Sequence, residues 1–365
     1  MIRWAASKYL HLFGPMFFLM NFEGNAQPIS PGSPISSEVY LEGYYGIDFG
    51  NPASANRPSF LYSFHRNNAP SINFSLVQLH YQQKKVRGAF GVHFGTFTDR
   101  NYAIEPGILQ HIYQTKIGFQ LGSSGRTWFD MGIMESHIGF ESAKGGTCWV
   151  ASRSLLAENT PYYSAGFQLN YTSSDSTFYL AGLVLNGWQR ITRQGANVLP
   201  AIGHQITWSP QSFLTFNSSS YIGNEYPEKL RRMRYFHHFY AKLEGKTSGL
   251  IAGFDVGIEQ LNLKSKYYGQ WLSAIVIGRK ELSTHVAAAL RVEYFYDKYG
   301  IIIPTDETPF NNLGWSLNVD YSLDFPVILR LEYRSFYNQV DYFEWGTNSI
   351  HTNHYLGFQA ALDLK

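Results

Sequence analysis

Apolar and polar residues alternate along most of the chain from residue 38 onward. Between residues 39 and 49 the odd positions are apolar or small, whereas Glu38, Glu42 and Asp48 occupy even positions. The same period of two recurs over residues 250–259. A period of two places successive side chains on opposite faces of a β-strand. The pattern therefore predicts strands with one apolar face and one wet face, and not strands buried on both faces.

About sixteen segments show this alternation, each near the ten residues expected of a tilted membrane strand. Their approximate bounds are 38–49, 72–83, 86–97, 111–121, 127–134, 162–173, 177–187, 203–209, 213–222, 234–244, 250–259, 270–279, 283–296, 314–322, 326–337 and 354–364.

The connections between these segments alternate between short turns and long loops. The turns are rich in Gly, Ser, Asp and Pro, which favour tight reversals; they include 122–125, 173–175, 209–211, 247–249 and 324–326. The long loops include 135–161, 188–202, 297–313 and 338–353. Short periplasmic turns and long extracellular loops are typical of outer-membrane barrels. An even strand number with both termini on the short-turn side also allows closure, which leaves no strand edge unpaired in lipid.

A secreted β-sandwich or lectin-like protein is the alternative, with the apolar face as its core. Two features favour the membrane. Aromatic residues stand near the strand ends, where they suit the membrane interface, and no polar linker divides the long chain; the aromatic positions are Tyr45, Trp208, Trp271, Tyr296 and Trp315. The sequence therefore predicts an all-β fold, a closed antiparallel transmembrane β-barrel of about sixteen strands.

The N-terminus has the layout of an export signal. Arg3 and Lys8 supply positive charge, an apolar run follows over residues 10–22, and small residues precede the predicted cleavage site. We expect a signal peptide at 1–26 and a barrel domain at 27–365. The apolar run is too short for a confident spanning helix, and the mean hydropathy of −0.22 excludes an α-helical membrane protein.

Charge and cysteine content narrow the function further. The net charge of +2 falls to +1 without the signal (2 − 2 + 1, for Arg3, Lys8 and Glu23), so no basic field is available for nucleic acid. The single cysteine, Cys148, excludes an intramolecular disulfide. Aromatic residues make up 17% of the chain, which favours strands over helices.

Several motifs resemble those of a known family, the β-barrel porins of the OmpL-like second type from Gram-negative bacteria. The resemblance runs from about residue 58 to the C-terminus, and the block from Asp130 to Tyr163 is its most specific part. The motifs are FDMGIMESHIGFES (129–142), SRSLLAENTPYYSAG (152–166), LNGWQRI (185–191), MRYFHHFYA (233–241) and GFDVGIEQ (253–260). The resemblance implies an outer-membrane channel, and it supplies neither a substrate nor catalytic residues.

The charged residues of the wet face are the candidate functional residues. A barrel of about sixteen strands has an interior wide enough for an aqueous channel. We expect its lining to include Lys116, Asp130, Lys242, Asp255, Glu259, Arg291, Glu293, Asp320, Arg330, Glu332 and Arg334. Because both signs are present, the sequence predicts weak ionic selectivity and passage of small hydrophilic solutes or ions.

The long loop at 135–161 is a candidate constriction. By analogy with other porins it would fold into the lumen, where Glu141, Lys144, Arg153 and Glu158 would meet the wall charges.

Hairpin registers predict two charge pairs on the lumen face. A two-residue turn at Ser248-Gly249 would place Lys242 opposite Asp255, and a turn centred on Phe325 would place Asp320 opposite Arg330. The second turn also sets Arg334 against Ser316 alone. Arg334 is therefore predicted to be unpaired and to matter most to ions.

Other functions remain as alternatives. A non-channel role in adhesion or as an assembly scaffold comes second, and a hydrolase third, since no G-x-S-x-G motif is present. His137 and Glu141 have the spacing of metal ligands on a helix, but Gly139 argues against a helix there, and no metal or cofactor is predicted. The expected partners are outer-membrane lipid, small solutes and copies of the same chain.

Overall fold

The computed structural model describes residues 33–195, 199–305 and 309–364. In these ranges sixteen antiparallel strands close into one barrel, as the sequence predicts. They are β1 (Ile35–Asp48), β2 (Ser71–Gln83), β3 (Val86–Phe94), β4 (Ile112–Leu121), β5 (Thr127–Glu135), β6 (Tyr163–Thr172), β7 (Phe178–Leu185), β8 (Ala201–Gln211), β9 (Leu214–Asn224), β10 (Met233–Glu244), β11 (Ser248–Gln260), β12 (Tyr268–Glu281), β13 (Val286–Asp297), β14 (Phe310–Ser322), β15 (Val327–Asn338) and β18 (Thr352–Leu364). Between β15 and β18, β16 (Phe343–Trp345) and β17 (Asn348–Ile350) form a separate hairpin.

The barrel wall follows from the period of two. In β11, Leu250, Phe254 and Val256 are exposed on the outer face, whereas Asp255 and Glu259 are buried on the inner face. Alternate positions of a strand necessarily point to opposite sides of the sheet. The apolar side chains therefore form an outer belt suited to lipid, and the polar ones point inward.

Closure joins the first and last strands. β1 pairs antiparallel with β18, so that Val39 lies opposite Leu364. The start of β1 and the end of β18 lie at the short-turn rim, and the long loops lie at the opposite rim. The predicted signal peptide lies outside the described residues.

Helices are few and short in the described ranges. Two α-helices, α1 (Thr96–Asn101) and α2 (Leu155–Glu158), and the 3₁₀ turns Gly107–His111, Gly145–Thr147 and Glu228–Leu230 all lie in long loops. None of the helices described is long and apolar enough to cross a membrane.

Loops enter the barrel and fill the half nearest the long-loop rim. We call residues 49–70 the first loop and residues 136–162 the inserted loop. Phe60 of the first loop and Leu155 of the inserted loop belong to one buried apolar cluster with Phe295, Phe336 and Phe343. This half of the interior is therefore a packed core and not an empty tube.

Candidate functional site

The inserted loop is hydrogen-bonded to one side of the barrel wall. The backbone N–H of Ala151 donates to Asn318 of β14 (3.1 Å), and that of Leu155 donates to Glu293 of β13 (2.6 Å). These donors precede or begin α2, whose first N–H groups have no partner inside the helix. Inward polar side chains of the wall thus satisfy the loop backbone and hold it inside the barrel.

Two wall arginines bind carbonyl groups of the same loop. Arg330 donates to Gly145 O (2.7 Å) and Cys148 O (2.8 Å), and Arg291 donates to Ser152 O (2.8 Å). Both guanidinium groups are buried. A guanidinium carries five donors in a planar fork, so one arginine can hold a wall carboxylate and a loop carbonyl together.

The predicted pair of Asp320 and Arg330 is confirmed. The two residues are directly opposite in the β14–β15 register, and Arg330 Nε lies 2.7 Å from Asp320 Oδ1. The turn centred on Phe325 therefore has the geometry that the sequence predicts.

The predicted pair of Lys242 and Asp255 is wrong. Lys242 lies opposite Ile251, and Asp255 lies opposite His238, to which it is hydrogen-bonded. The reason is the turn, which comprises residues 245–247 and places Glu244 opposite Gly249. The turn is centred two residues earlier than predicted, which changes the register of the whole hairpin.

The prediction that Arg334 is unpaired is also wrong. Ser316 does lie opposite it, but Arg334 Nη2 reaches across β14 to Glu293 Oε1 at 2.7 Å. A hairpin register locates only the directly opposite residue, and a long arginine side chain reaches the next strand but one.

The predicted lining residues differ in their access to water. Lys116 and Lys242 are partly exposed in the half of the barrel nearest the short turns. The other nine are almost completely buried: Asp130, Asp255, Glu259, Arg291, Glu293, Asp320, Arg330, Glu332 and Arg334. Their side chains point inward, and their part in conduction stays a prediction.

The charged residues of the inserted loop have varied partners. Lys144 Nζ lies 2.8 Å from Glu38 of β1, and buried Arg153 lies 4.0 Å from Glu42 of the same strand. These two residues do meet wall charges.

The two loop carboxylates bind backbone instead. Glu158 accepts hydrogen bonds from Tyr62 N (3.0 Å) and Ser63 N (3.1 Å) of the first loop. Glu141 accepts one from Ser154 N (3.0 Å). Burial raises the pKa of Glu158, and these two donors oppose that rise because they favour the ionised form.

His137 packs the inserted loop against the wall. Its Nε2 lies 2.8 Å from Ser220 O of β9, so this nitrogen donates, and burial lowers its pKa to about 4. Over the described ranges no cluster of three or more potential metal ligands is found.

Two cavities lie beside the loops. One, of about 320 Å³, opens between the first loop and the β16–β17 hairpin, and Arg57, Arg100 and Glu344 are among its lining residues. The other, of about 280 Å³, lies between the inserted loop, Tyr113 of β4 and Tyr240 of β10. Each is large enough for a small solute.

The sequence interpretation missed the aromatic filling and Arg57. Phe295 and Phe336 occupy inward positions, in phase with Glu293 and Arg334. Apolar residues at inward positions near a long loop could have indicated this aromatic packing in the sequence. Arg57 stands in a loop and gives no periodic signal.

Known structures share this architecture at low sequence identity. The outer membrane channel DcaP of Acinetobacter baumannii is 11% identical, with a TM-score of 0.59 over 90% of this chain and 97% of that one. An anion-selective porin from Comamonas acidovorans is 7% identical, with a TM-score of 0.59 over 90% and 99%. In vitro folded OmpT of Vibrio cholerae, in a trimer form, is 9% identical, with a TM-score of 0.56 over 90% and 99%.

Sequence comparison provides the family. Among curated proteins, none is similar enough in sequence to match the chain. A family model described as "Putative beta-barrel porin-2, OmpL-like" matches residues 34–364, which is the whole barrel. The protein therefore belongs to this family of porins and is a diffusion channel of the outer membrane.

Proposed function

We propose that small hydrophilic solutes and ions cross this barrel through a narrow passage between the inserted loop and the wall around β4 and β10. The supporting observation is the 280 Å³ cavity, which lies between the loop, Tyr113 and Tyr240. Elsewhere the loop is bound to the wall, at β13 and β14 through its backbone and at β9 through His137. Water and solute pass through this cavity.

A conductance measurement tests this route. Tyr240 lines the cavity, so Tyr240→Ala should widen the passage and raise the single-channel conductance in planar bilayers. Tyr235 is on the same strand but on the outer face, so Tyr235→Ala is the matched control and should leave conductance unchanged. An unchanged conductance in Tyr240→Ala would place the passage elsewhere.

The same recordings separate the alternatives. A folded barrel that carries no current would favour an adhesion or scaffold role, and turnover of an ester or peptide substrate would favour a hydrolase. We infer a non-enzymatic channel, because the inward polar side chains described above bind backbone groups and one another.

We also propose that the barrel assembles with copies of itself. The outer face of β8 to β10 carries a polar patch in the apolar belt, made of His204, Ser218, Ser220 and His237. His204 and His237 both lie opposite Ser220, and His204 Nε2 lies 3.2 Å from Ser218 Oγ.

Apolar outward residues flank the patch at both ends. Ile202 and Ile222 lie toward the long loops, and Phe216 and Phe239 lie toward the short turns. The patch is thus inside the belt, where polar side chains facing lipid are costly and contact with protein is preferred. The trimer form of OmpT of Vibrio cholerae is a precedent for this architecture.

A bulky side chain at the patch tests the assembly. Ser220→Trp should disrupt it and reduce the mass of the particle extracted in mild detergent. Ser75→Trp is the matched control, because Ser75 is an outward serine of β2, away from the patch. A monomeric wild-type particle, or equal effects of the two variants, would contradict the proposed interface.

A further inference from the structure

Arg57 of the first loop is a buried cation whose charge no acidic side chain neutralises. The residue is only 3% exposed. Over the described ranges its Nε, Nη1 and Nη2 atoms have no hydrogen-bond partner, and it forms no salt bridge. Its guanidinium carbon lies 3.5 Å from the centre of the Tyr355 ring, which supplies a cation–π contact on one face only.

Such a group is costly without an anion. A guanidinium stays protonated in proteins, so Arg57 cannot escape the cost of burial by losing its proton. Five N–H donors and a full positive charge would remain without compensation in a site shielded from water. The arrangement indicates that an anion from outside the chain completes the site.

The 320 Å³ cavity lies beside this cation. Arg57 and Asn353 contribute to its lining, and exposed Arg100 supplies a second positive charge toward the outside. The cavity lies in the extracellular mouth, between the first loop and the β16–β17 hairpin. A solute entering from outside reaches this cavity before the inserted loop.

The carboxylates of the cavity already accept hydrogen bonds from amide groups. Asp48 accepts hydrogen bonds from Gly50 N (2.9 Å) and from Asn353 Nδ2 (2.8 Å), and Glu344 accepts one from Ala53 N (3.1 Å). They hold the loops around the cavity and leave the fork of Arg57 for a ligand.

We propose that Arg57 is the centre of an extracellular binding site for small organic oxyanions, with a carboxylate or phosphate group held by its guanidinium fork. A planar fork matches two oxygens of one such group. Ser54, Asn56 and Ser59 also line the cavity and provide partners for hydroxyl groups of the ligand. The site rests on the proposed channel function, because it names the class of solute that the channel captures.

Equilibrium binding to the full chain in detergent micelles tests the site. The probes are succinate, phosphate and chloride, measured by titration calorimetry. Succinate or phosphate should bind and should raise the melting temperature, since a ligand that binds only the folded state stabilises it. The tighter of the two identifies the preferred headgroup. Chloride cannot use both arms of the fork, so equal affinity for chloride would overturn the proposal.

Two variants locate the binding. Arg57→Gln should weaken binding by about tenfold or more, the loss expected when a charge-assisted bidentate contact is removed. Arg126→Gln is the matched control, because Arg126 is an exposed arginine of the short turn between β4 and β5, at the opposite rim of the barrel. Arg126→Gln should bind like the wild type.

Failure of the site and failure of the channel are distinguishable. Unchanged binding in Arg57→Gln, or no binding by the wild type, overturns the site whatever the conductance. Intact binding in a barrel that carries no current overturns the channel and leaves the site. Should Arg57→Gln not fold, Arg57→Lys keeps the charge without the fork, and binding at wild-type strength in that variant would overturn recognition by the fork.

Discussion

Buried charge in this barrel binds the inserted loop to the wall. Glu293, for example, accepts one hydrogen bond from Leu155 N of the loop and another from Arg334 of the wall. Ion pairs of this kind contribute little net stability over apolar packing, but removal of one partner is strongly destabilising. Substitutions at these residues are therefore expected to affect folding before they affect selectivity.

Arg334→Glu is expected to destabilise the barrel rather than change its ion preference. The new carboxylate would face Glu293 in a buried site, and loss of one partner of a buried pair costs about 3–5 kcal/mol. Equilibrium unfolding in denaturant measures the loss. The double variant Arg334→Met with Glu293→Gln should recover part of it, because the amide oxygen of Gln keeps an acceptor for Leu155 N and removes the second buried charge. Equal losses in the single and double variants would contradict the pairing.

Lys116 is the better residue for a selectivity measurement, because it is inward and partly exposed in the half nearest the short turns. Lys116→Glu should shift the reversal potential in a salt gradient toward cations, since it replaces a positive charge with a negative one near the passing ions. Lys280→Glu makes the same charge change on the outward side of β12 and is the control. Equal shifts in both variants would refute the assigned facing.

At the scale of elements, the inserted loop behaves as part of the wall. Its apolar residues Val150 and Leu156 pack with Ile251, Ile275 and Ile277 of β11 and β12. Apolar packing on one side and hydrogen bonds on the other fix its position. We therefore expect the loop to narrow the lumen permanently and not to act as a mobile lid.

Acid is expected to loosen this loop. The pKa of His137 is lowered to about 4 in the folded barrel, from 6.5. Between these values the unfolded chain binds a proton that the folded state does not, so stability falls as the pH decreases, by at most about 1.4 kcal/mol per pH unit. Melting temperatures at pH 7 and pH 5 measure the effect.

The control variant is His137→Gln, which removes the titrating group but keeps a donor for Ser220 O. It should show a smaller decrease in melting temperature between pH 7 and pH 5. A decrease equal to that of the wild type would exclude His137 as a source of the acid sensitivity.

At the scale of the whole molecule, the loops and aromatic side chains inside the wall distinguish this barrel from an open pore. Aromatic side chains of the first loop, of strand ends and of the β16–β17 hairpin meet inside the wall; Phe60 and Phe310, for example, have ring centres 4.9 Å apart. The barrel has the strand number of a wide channel, but loops take up much of its cross-section near the long-loop rim. We therefore expect the loops to set its conductance.

Shortening the inserted loop tests this conclusion. Replacement of residues 139–158 by a short Gly-Ser linker should raise the single-channel conductance severalfold, because it removes the contacts with β13 and β14 and opens the lumen. The control shortens the loop between β11 and β12 (261–267), which connects these strands at the long-loop rim. Similar conductance in the two shortened variants would show that the inserted loop does not limit the current.

The strands of the wall could be predicted from the sequence. The packing of loops and aromatic side chains inside the barrel could not. Alternation specifies which side chains point inward, as at Asp255 and Glu259, because it depends only on the geometry of one strand. The partner of Asp255 depends on the position of a turn, and a turn two residues earlier than predicted places His238 there instead of Lys242. Arg57 and the aromatic core depend on contacts between distant loops, which have no periodic signal in the sequence.

The attachment of the inserted loop also has a consequence for the order of folding. Leu155 and Glu293 are separated by 138 residues, and Ser152 and Glu332 by 180. Contacts between residues so far apart form late, because the entropy of closing the intervening chain is lost before the contacts are gained. The loop is synthesised early but acquires these partners on β13 to β15 only after those strands have joined the sheet. We therefore expect the newly inserted barrel to pass through a wide, leaky intermediate, and a truncation before β13 to lose the constriction along with the strands.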